Sequence, residues 1–303
     1  MLQSGGEVKP DLWIDGEFIP WEKACIHPLC HSLQRGATVF ESIDCAETIE
    51  GKAAIFRLHD HMLRFENSSH LTGMPLGYNV SYLEKAVFET VRRSGLTRCI
   101  IRPLALYSDP VFDLLPGNAH VSIIIAVGEK EPDKESLKVK MSRLQKIESS
   151  SMPVKAKVSG NYIAPMIAKS EAINAGFDDT ILMDRDGNVA EGTTSNIFIV
   201  ENGALVTPPG FKILQGITRD TIMALSQQPG IRFSEETITP ERLRNSDEVF
   251  MCSSGRGIVP VVQVDSVIIG DGRMGETTAH LRQYYRDVAR GFVPEFGHWL
   301  TII

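Results

Sequence analysis

Three Asx-Gly dipeptides stand between apolar runs of this chain, and they constrain its fold more than any other feature. They are Asp15-Gly16, Asp186-Gly187 and Asn202-Gly203. Such a pair closes the two-residue turn of a β-hairpin, because both turn positions accept positive φ. These hairpins interrupt any strict βαβ alternation, so the chain is predicted to fold as an α+β protein.

Helical and strand-forming segments are mixed along the chain. Ser81 and Glu84 form a capping box at the start of one helix, and Thr239-Pro240 reads as the cap and first residue of a short one. Helices are predicted at residues 59–71, 81–95, 161–175, 217–227 and 276–290. Strands are predicted from the apolar runs CIIRPLALY, HVSIIIAVG, LKVKMSRL, TILMD and SNIFIV.

Residues 129–136, EKEPDKES, form the predicted linker between two domains. They are charged, contain a proline and have no hydrophobic period. A length of 303 residues also fits about two domains. We therefore expect a small N-terminal α/β domain over residues 1–128 and a larger β-rich C-terminal domain over residues 137–303.

Composition argues against several classes of protein. A net charge of −7 and a pI near 5.7 argue against nucleic acid as a partner. No apolar run approaches the ~20 residues of a membrane span, and the start MLQSGGEVKPDLW lacks the pattern of a signal peptide. Five cysteines form an odd set with no C-x-x-C pair, which indicates free thiols in a cytoplasmic protein and no metal site.

A lysine in an unusual setting is the first candidate for chemistry. Lys157 lies between two small apolar residues, Ala156 and Val158, directly before the sequence SGNY. Apolar neighbours help to keep an amine unprotonated, and an unprotonated lysine is a nucleophile. Tyr162, the last residue of that sequence, offers a hydroxyl nearby.

Two glycine-bearing turns in the same half of the chain are candidate anion sites. LQGITRD places Gly216, Ile217 and Thr218 at the start of a predicted helix, where free N–H groups and the helix dipole favour a phosphate. MCSSGRG follows a strand and supplies Ser253 and Ser254. Each turn taken alone is more simply an ordinary cap or loop.

A carboxylate and an arginine complete the set of candidates. Glu191, in DRDGNVAEGTTSNIF, lies at the edge of a predicted sheet and needs a partner when buried. A protonated heterocyclic nitrogen would be such a partner. Arg64, three residues after His61 on one helical face, offers a bidentate phosphate ligand. An amine, a carboxylate and several phosphate anchors are the requirements of pyridoxal 5′-phosphate.

Four motifs give the chain a family resemblance that runs from about residue 12 to the helix at 276–290. They are MPVKAKVSGNY, DRDGNVAEGTTSNIF, LQGITRD and DEVFMCSS. In order and spacing they resemble those of the fold-type IV, class IV aminotransferases, closest to the branched-chain amino acid aminotransferases. The resemblance implies the two-domain fold-type IV architecture, with the cofactor bound by the larger domain.

The resemblance also implies roles for individual residues. Lys157 would form the Schiff base and carry the proton, Tyr162 would contact the phenolic oxygen and Glu191 the pyridine nitrogen. Arg64, Ile217, Thr218 and Ser254 would hold the phosphate, with Leu214 against the ring and Gly216 and Ser253 in the two turns. The backbone of Ser254 and Gly255 would meet the α-carboxylate of the substrate. Family members are dimers, and VFDLLPGN at 111–118 resembles their loop over the neighbouring active site.

Predicted substrate-contacting residues lie in the first half of the chain. They are Arg35, Phe40, Ser42 and Arg102. Arg102 matches a family position associated with recognition of a carboxylate. The chain departs from the branched-chain pattern at Arg35, usually tyrosine, at Ser42, usually glycine, and at Asp44, usually arginine. Because a desolvated, unpaired guanidinium is costly, Arg35 is expected either to pair with an acid or to meet a substrate carboxylate.

The expected function is therefore pyridoxal-phosphate-dependent transamination by a ping-pong mechanism. A branched-chain or related L-amino acid would exchange its amino group with a 2-oxo acid such as 2-oxoglutarate, in a homodimer or higher homo-oligomer. Two alternatives share the fold, a D-amino acid aminotransferase and an aminodeoxychorismate lyase. A third alternative is a binding protein without catalytic activity.

Overall fold

The computed structural model describes residues 10–227 and 230–303, which form two compact units. The first unit contains the chain up to residue 131 together with residues 296–303, and the second contains residues 132–295. None of the helices within the described residues is long and apolar enough to span a membrane.

The elements are numbered in chain order. The strands are β1 (Leu12–Ile14), β2 (Glu17–Ile19), β3 (Val39–Phe40), β4 (Ile43–Glu47), β5 (Ala53–Phe56), β6 (Cys99–Tyr107), β7 (Val121–Glu129), β8 (Leu137–Gln145), β9 (Asp179–Met183), β10 (Val189–Gly192), β11 (Asn196–Glu201), β12 (Ala204–Thr207), β13 (Phe233–Glu235), β14 (Glu248–Ser253), β15 (Gly257–Val264), β16 (Val267–Ile268) and β17 (Leu300–Ile302). The α-helices are α1 (His31–Arg35), α2 (Leu58–Leu71), α3 (Val80–Ser94), α4 (Ile163–Asn174), α5 (Ile217–Ser226), α6 (Pro240–Asn245) and α7 (Glu276–Ala289). Short 3-10 helices occupy Trp21–Lys23, Ser159–Tyr162, Gly210–Lys212 and Pro294–Trp299.

The first unit is an antiparallel sheet that packs against α2 and α3. Its strand order is β17-β5-β4-β6-β7-β1-β2, with β3 paired to β6. Met62 and Phe65 of α2 and Leu83 of α3 lie in one buried cluster with sheet residues such as Ile101 and Ile125. The 3.6-residue period of each helix and the alternation of β6 therefore place their apolar side chains in a common core.

The start of α3 differs from the prediction. The predicted capping box made Ser81 the cap, but the helix begins at Val80 and Asn79 is its cap. The side chain of Asn79 accepts a hydrogen bond from the N–H of Tyr82 at 2.9 Å. An asparagine that reaches this N–H directly satisfies the first turn, so Ser81 lies inside the helix.

The second unit is built on a mixed sheet. Its strand order is β10-β9-β8-β15-β14-β11-β12-β13, with β16 paired to β15. Both predicted hairpins form, and both strand pairs are antiparallel. Asn202-Gly203 is the predicted two-residue turn between β11 and β12, whereas Asp186-Gly187 lies in a longer loop between β9 and β10, in which the N–H of Asp184 donates to the carbonyl of Asn188 at 2.8 Å. The apolar strands β11 and β14 run antiparallel side by side and form the centre of a buried cluster.

The division of the chain is close to the predicted one except at the C-terminus. The boundary at residues 131 and 132 falls inside the predicted linker 129–136. Residues 296–303, however, belong to the first unit and not to the predicted segment 137–303. The reason is that β17 adds to the first sheet by pairing with β5, through register partners such as Leu300 and Phe56.

Substitution of Phe198 tests whether this side chain stabilises the core of the second unit. Its side chain is fully buried and stacks on Phe250 with ring centroids 5.1 Å apart. Removal of a buried phenylalanine side chain leaves a cavity, so Phe198→Ala should lower the free energy of unfolding by about 3–5 kcal/mol. Urea unfolding measures this change. The control is Phe211→Ala, because Phe211 is 65% exposed and its removal should change stability little; equal effects would contradict the described core.

Candidate active site

Lys157 and Tyr162 are brought together by a short loop and a 3-10 helix. Lys157 is only 9% exposed, although Lys155, two residues earlier, is exposed. The Nζ of Lys157 donates to the hydroxyl of Tyr162 at 2.9 Å and lies 5.2 Å from the centroid of its ring. Asn161 stabilises this loop, because its Nδ2 donates to the carbonyl of Ala156 at 3.2 Å. A buried amine is thus held beside a phenol.

Glu191 lies on β10 and has two protein partners that the sequence reasoning missed. Its Oε1 is paired with the Nζ of Lys146, and both side chains are nearly buried. Its Oε2 accepts from the Nδ2 of Asn196 at 3.3 Å. These contacts fix the direction of the carboxylate and compensate its charge.

Asn196 joins Glu191 to the predicted phosphate turns. Its Nδ2 also donates to the carbonyl of Leu214 at 3.0 Å, in the loop that precedes α5. Asn196 is the first residue of β11 and lies opposite Cys252 in β14, one residue before Ser253. A single amide therefore connects the carboxylate, the loop before α5 and the end of β14.

The N-terminus of α5 meets the turn after β14. The hydroxyls of Thr218 and Ser254 are 3.4 Å apart. Gly216 is the N-cap of α5 and has no side chain with which to cap this helix. A helix N-terminus with two hydroxyls beside it attracts an anion, because the dipole and the N–H groups of the first turn point toward it.

Only glycine fits at position 216. A Cβ placed there would lie 2.0 Å from the Oδ1 of Asn196, far inside van der Waals contact. The close approach lets Asn196 reach the carbonyl of Leu214. Gly216 is therefore required by packing and not by an unusual φ, which is −72°.

Arg64 lies in the first unit and is oriented by a buried glutamate. Its Nε and Nη2 donate to the carboxylate of Glu41 at 2.7 and 2.8 Å, and the Nδ1 of His61 is 2.8 Å from the same group. Glu41 is fully buried. Burial on its own would raise the pKa of Glu41, but the charges and hydrogen bonds of Arg64 and His61 hold this pKa well below its usual range.

Four predicted substrate residues lie in the first unit and do not all share one cluster, whereas the fifth, Gly255, lies in the second unit. The guanidinium of Arg102 lies over the ring of Phe40, 5.5 Å from its centroid. The N–H of Ser42 donates to the carboxylate of Glu41 at 3.2 Å. Arg35 is exposed, and its Nη2 donates to the carbonyl of Phe112 at 3.0 Å. The sequence had offered an acid or a substrate carboxylate as its partner, whereas this contact ties α1 to the loop at 111–118.

Asp44, the other departure from the family pattern, has a clear partner. It is buried in β4, and its Oδ1 accepts from the Nζ of Lys130 at 2.6 Å. Lys130 itself belongs to the charged segment 129–136. The pair compensates the charge of an aspartate that would otherwise be costly in a sheet.

Comparisons with known proteins show the family of this chain. The model of the class IV aminotransferase family matches residues 38–264. The branched-chain-amino-acid aminotransferase of Pseudomonas aeruginosa is 34% identical over 299 residues, which cover 96% of this chain and 97% of that protein. The chain therefore belongs to the class IV aminotransferase family, and the prediction of this family is confirmed.

Solved structures show the same architecture. The branched-chain aminotransferase of Thermoproteus uzoniensis, solved with norvaline, has a TM-score of 0.93 and 34% identity, and the match covers 97% of this chain and 99% of that one. The branched-chain amino acid aminotransferase of Thermobaculum terrenum, solved in its PLP form, has a TM-score of 0.92 and 31% identity over 98% and 99% of the two chains. The predicted fold-type IV, α+β architecture is confirmed.

The buried glutamate of the first unit gives a test that depends on pH. Because the pKa of Glu41 is lowered in the folded protein, its ionisation stabilises the fold fully above the pKa of an unfolded glutamate, about 4.3, and this contribution is lost as the pH falls toward the lower, folded pKa. Glu41→Gln should therefore cost about 3–5 kcal/mol of unfolding free energy near neutral pH. The difference from the wild-type protein should shrink below about pH 4.

Urea titrations at several pH values measure this difference. Glu84→Gln is the matched control, because Glu84 pairs with His59 at 2.6 Å on the surface of the same unit. An exposed pair of this kind is worth at most about 1 kcal/mol. A difference for Glu41→Gln that stays constant down to low pH would contradict the assigned charge.

Proposed function

We propose that this class IV aminotransferase uses pyridoxal 5′-phosphate to exchange amino groups between a branched-chain or related L-amino acid and a 2-oxo acid such as 2-oxoglutarate, in a ping-pong reaction. The observation that carries the proposal is the buried amine of Lys157, held 2.9 Å from the hydroxyl of Tyr162. A buried lysine of this kind is a nucleophile for a carbonyl carbon. Relatives solved with the cofactor or with norvaline support it.

The donor groups of the second unit fit this cofactor. The hydroxyls of Thr218 and Ser254, at the N-terminus of α5, suit a phosphate, with Gly216, Ile217 and Ser253 supplying backbone around it. Glu191 suits a protonated ring nitrogen, Tyr162 a phenolic oxygen, and Leu214 the face of the ring. Arg64 stays a predicted phosphate ligand. When bound, the cofactor supplies an electron sink for the carbanion that forms at the substrate Cα.

The residues of the chain supply orientation and proton transfer. Lys157 removes the proton from the Cα of the amino acid and delivers it to the C4′ atom of the cofactor. Tyr162 orients the amine of Lys157 through their hydrogen bond. Lys146 and Asn196 hold Glu191 in place, and its carboxylate would accept a hydrogen bond from the protonated ring nitrogen.

The residues proposed for substrate recognition are those that the family resemblance implies. Gly255, next to Ser254, would offer its N–H to the α-carboxylate, and Arg102 would bind a carboxylate of the substrate. Phe40, Ser42 and Arg35 stay predicted substrate residues. Since the chain departs from the branched-chain pattern at Arg35 and Ser42, a D-amino acid aminotransferase and an aminodeoxychorismate lyase remain the alternatives.

The visible absorption spectrum of the purified protein with pyridoxal phosphate tests the proposal. L-Leucine or another branched-chain L-amino acid should bleach the cofactor band, and a 2-oxo acid should restore it. D-Alanine should have no effect. Bleaching by D-alanine alone would favour the D-amino acid alternative, and release of pyruvate from aminodeoxychorismate would favour the lyase. A protein with no cofactor band would contradict the proposal as a whole.

Substitution of the reactive lysine gives the sharpest variant. Lys157→Ala should lose the shifted absorption band and reduce turnover by at least about a thousandfold, since both covalent attachment and proton transfer are lost. Lys155→Ala is the control, because Lys155 is an exposed lysine of the same motif. Lys155→Ala should keep both properties, and near-normal turnover by Lys157→Ala would exclude Lys157 as the catalytic residue.

We further propose that the protein is a cytoplasmic homodimer. Helix α4 exposes a row of apolar side chains, with Ile163 at 56%, Met166 at 65% and Ile167 at 44%. This row, spaced three and four residues apart on one helical face, fits burial against a second copy of the chain. All five cysteines are free thiols, which supports a reducing compartment.

The exposed row on α4 gives a test of the dimer. Met166→Glu places a charge in the proposed interface and should raise the dimer dissociation constant by at least about tenfold, because the charge must be desolvated. Sedimentation velocity measures the change. Met274→Glu is the control, since Met274 is also an exposed methionine, 41% accessible, of the second unit. A wild-type monomer, or equal weakening by both variants, would exclude this interface.

A further inference from the structure

Asp179 is a buried carboxylate to which neither the sequence motifs nor the proposed reaction assigns a role. It is the first residue of β9 and has no exposed surface. Its Oδ1 accepts from the hydroxyl of Thr193 at 2.6 Å and from the N–H of Thr180 at 2.9 Å. Its Oδ2 is paired with Lys169 and with Arg256, each at 3.2 Å. Every one of these groups lies in the second unit.

The donors to Asp179 come from the segments that carry the active-site motifs. Thr193 follows Glu191 by two residues, in the loop between β10 and β11. Lys169 is on α4, the helix that begins directly after Tyr162. Arg256 follows Ser254 and Gly255 in the turn between β14 and β15. One carboxylate thus connects a helix and two loops that adjoin residues of the proposed cofactor site.

The turn that carries Arg256 is a three-residue hairpin loop. Ser253 and Gly257 are register partners at its base, and the N–H of Arg256 donates to the carbonyl of Ser253 at 3.2 Å. Gly257 has a φ of 63°, the left-handed conformation that closes such a loop with a bulge. Ser254 and Gly255 are the two central residues of the turn that this hydrogen bond closes. The orientation of their hydroxyl and N–H groups therefore depends on the position of the loop.

The side chain of Arg256 attaches this loop to the body of the sheet. Its Nη1 reaches Asp179 at the start of β9, a strand that is separated from β15 by β8. A guanidinium paired with a fully buried carboxylate loses more from moving than an exposed pair does, because the carboxylate would be left with an uncompensated charge. Movement of the loop is therefore opposed by the burial of Asp179.

We propose that Arg256, acting through Asp179, is a positioning residue that holds the turn of Ser254 and Gly255 in the conformation in which Ser254 binds the phosphate of the cofactor. This inference rests on the proposed function. A loop that is already ordered before the phosphate binds loses little conformational entropy on binding. A mobile loop would lose more, and its affinity for the phosphate would be lower. Arg256 itself acts on the loop and not on the ligand.

The test compares the dissociation constants of pyridoxal 5′-phosphate and of pyridoxal, which lacks the phosphate. Their ratio reports the contribution of the phosphate and is insensitive to a general loss of stability. Arg256→Ala should lower this phosphate preference by about tenfold, the size of effect seen when a supporting contact of a binding group is removed. Equilibrium titration followed by absorbance gives both constants.

Lys169→Ala is a closely matched control. Lys169 pairs with the same Oδ2 of Asp179 at the same 3.2 Å, and its side chain is 29% exposed against 33% for Arg256. Loss of either cation leaves the carboxylate with one partner fewer, so thermal stability should fall similarly in both variants. Only Arg256→Ala should change the phosphate preference. Equal changes, or no change in either variant, would overturn the inference.

A second variant separates positioning from direct contact with the phosphate. Asp179→Asn removes the anchor of Arg256, so it should lower the phosphate preference as Arg256→Ala does, and the double variant should add little. If Asp179→Asn fails to fold, the comparison of Arg256→Ala with Lys169→Ala still tests whether Arg256 affects the phosphate preference. An Asp179→Asn protein with unchanged preference would show that Arg256 contacts the phosphate itself. Failure of the wild-type protein to bind pyridoxal phosphate would instead overturn the proposed function.

Discussion

The arrangement of the second unit depends on the buried carboxylate of Asp179. Its carboxylate has no exposed surface, and a buried charge without partners costs several kcal/mol. Two cations, a hydroxyl and a backbone N–H compensate it. Since these donors belong to α4, to the loop after β10 and to the turn after β14, the carboxylate restricts the arrangement of all three segments. Each of these segments contains or directly follows a residue of the proposed cofactor site, namely Tyr162 before α4, Glu191 in β10 and Ser254 in the turn.

The first unit also contains a buried carboxylate with several partners, that of Glu41. Glu41 lies in the connection from β3 to β4, and its partners His61 and Arg64 both come from α2. The helix is thereby held against the sheet, and Arg64 is given a fixed direction. In both units a buried acid binds cationic side chains, and in the first unit one of them, Arg64, is a predicted phosphate ligand.

Much of the fold was predictable because its signals are local. Asp186-Gly187 and Asn202-Gly203 close hairpins wherever they lie between apolar runs, and the helices at 217–226 and 276–289 follow their apolar periodicity. Two predictions failed for different reasons. The cap of α3 is Asn79, two residues before the predicted Ser81, because both residues can cap a helix. The last strand was assigned to the wrong unit, because β17 pairs with β5, which is distant in sequence.

Candidate site residues were also predictable where a motif carries them. Lys157 and Tyr162 are five residues apart, and the structure joins them by a hydrogen bond. Lys146 and Asn196, the partners of Glu191, were missed. Lys146 is 45 residues from Glu191 and looks like the polar end of an ordinary strand. The asparagine of TTSNIF resembles a loop residue, and only its two hydrogen bonds show what it holds.

The sequence by itself determined the family, the candidate nucleophile and the two glycine-bearing turns, because each of these depends on residue types at fixed, short spacing. Tertiary structure alone decided which partner each charge receives. Arg35 donates to the carbonyl of Phe112, and Asp179 pairs with Arg256 across 77 residues of sequence. Such choices depend on burial, since a charge removed from water takes whatever donor the folded chain brings within hydrogen-bond distance.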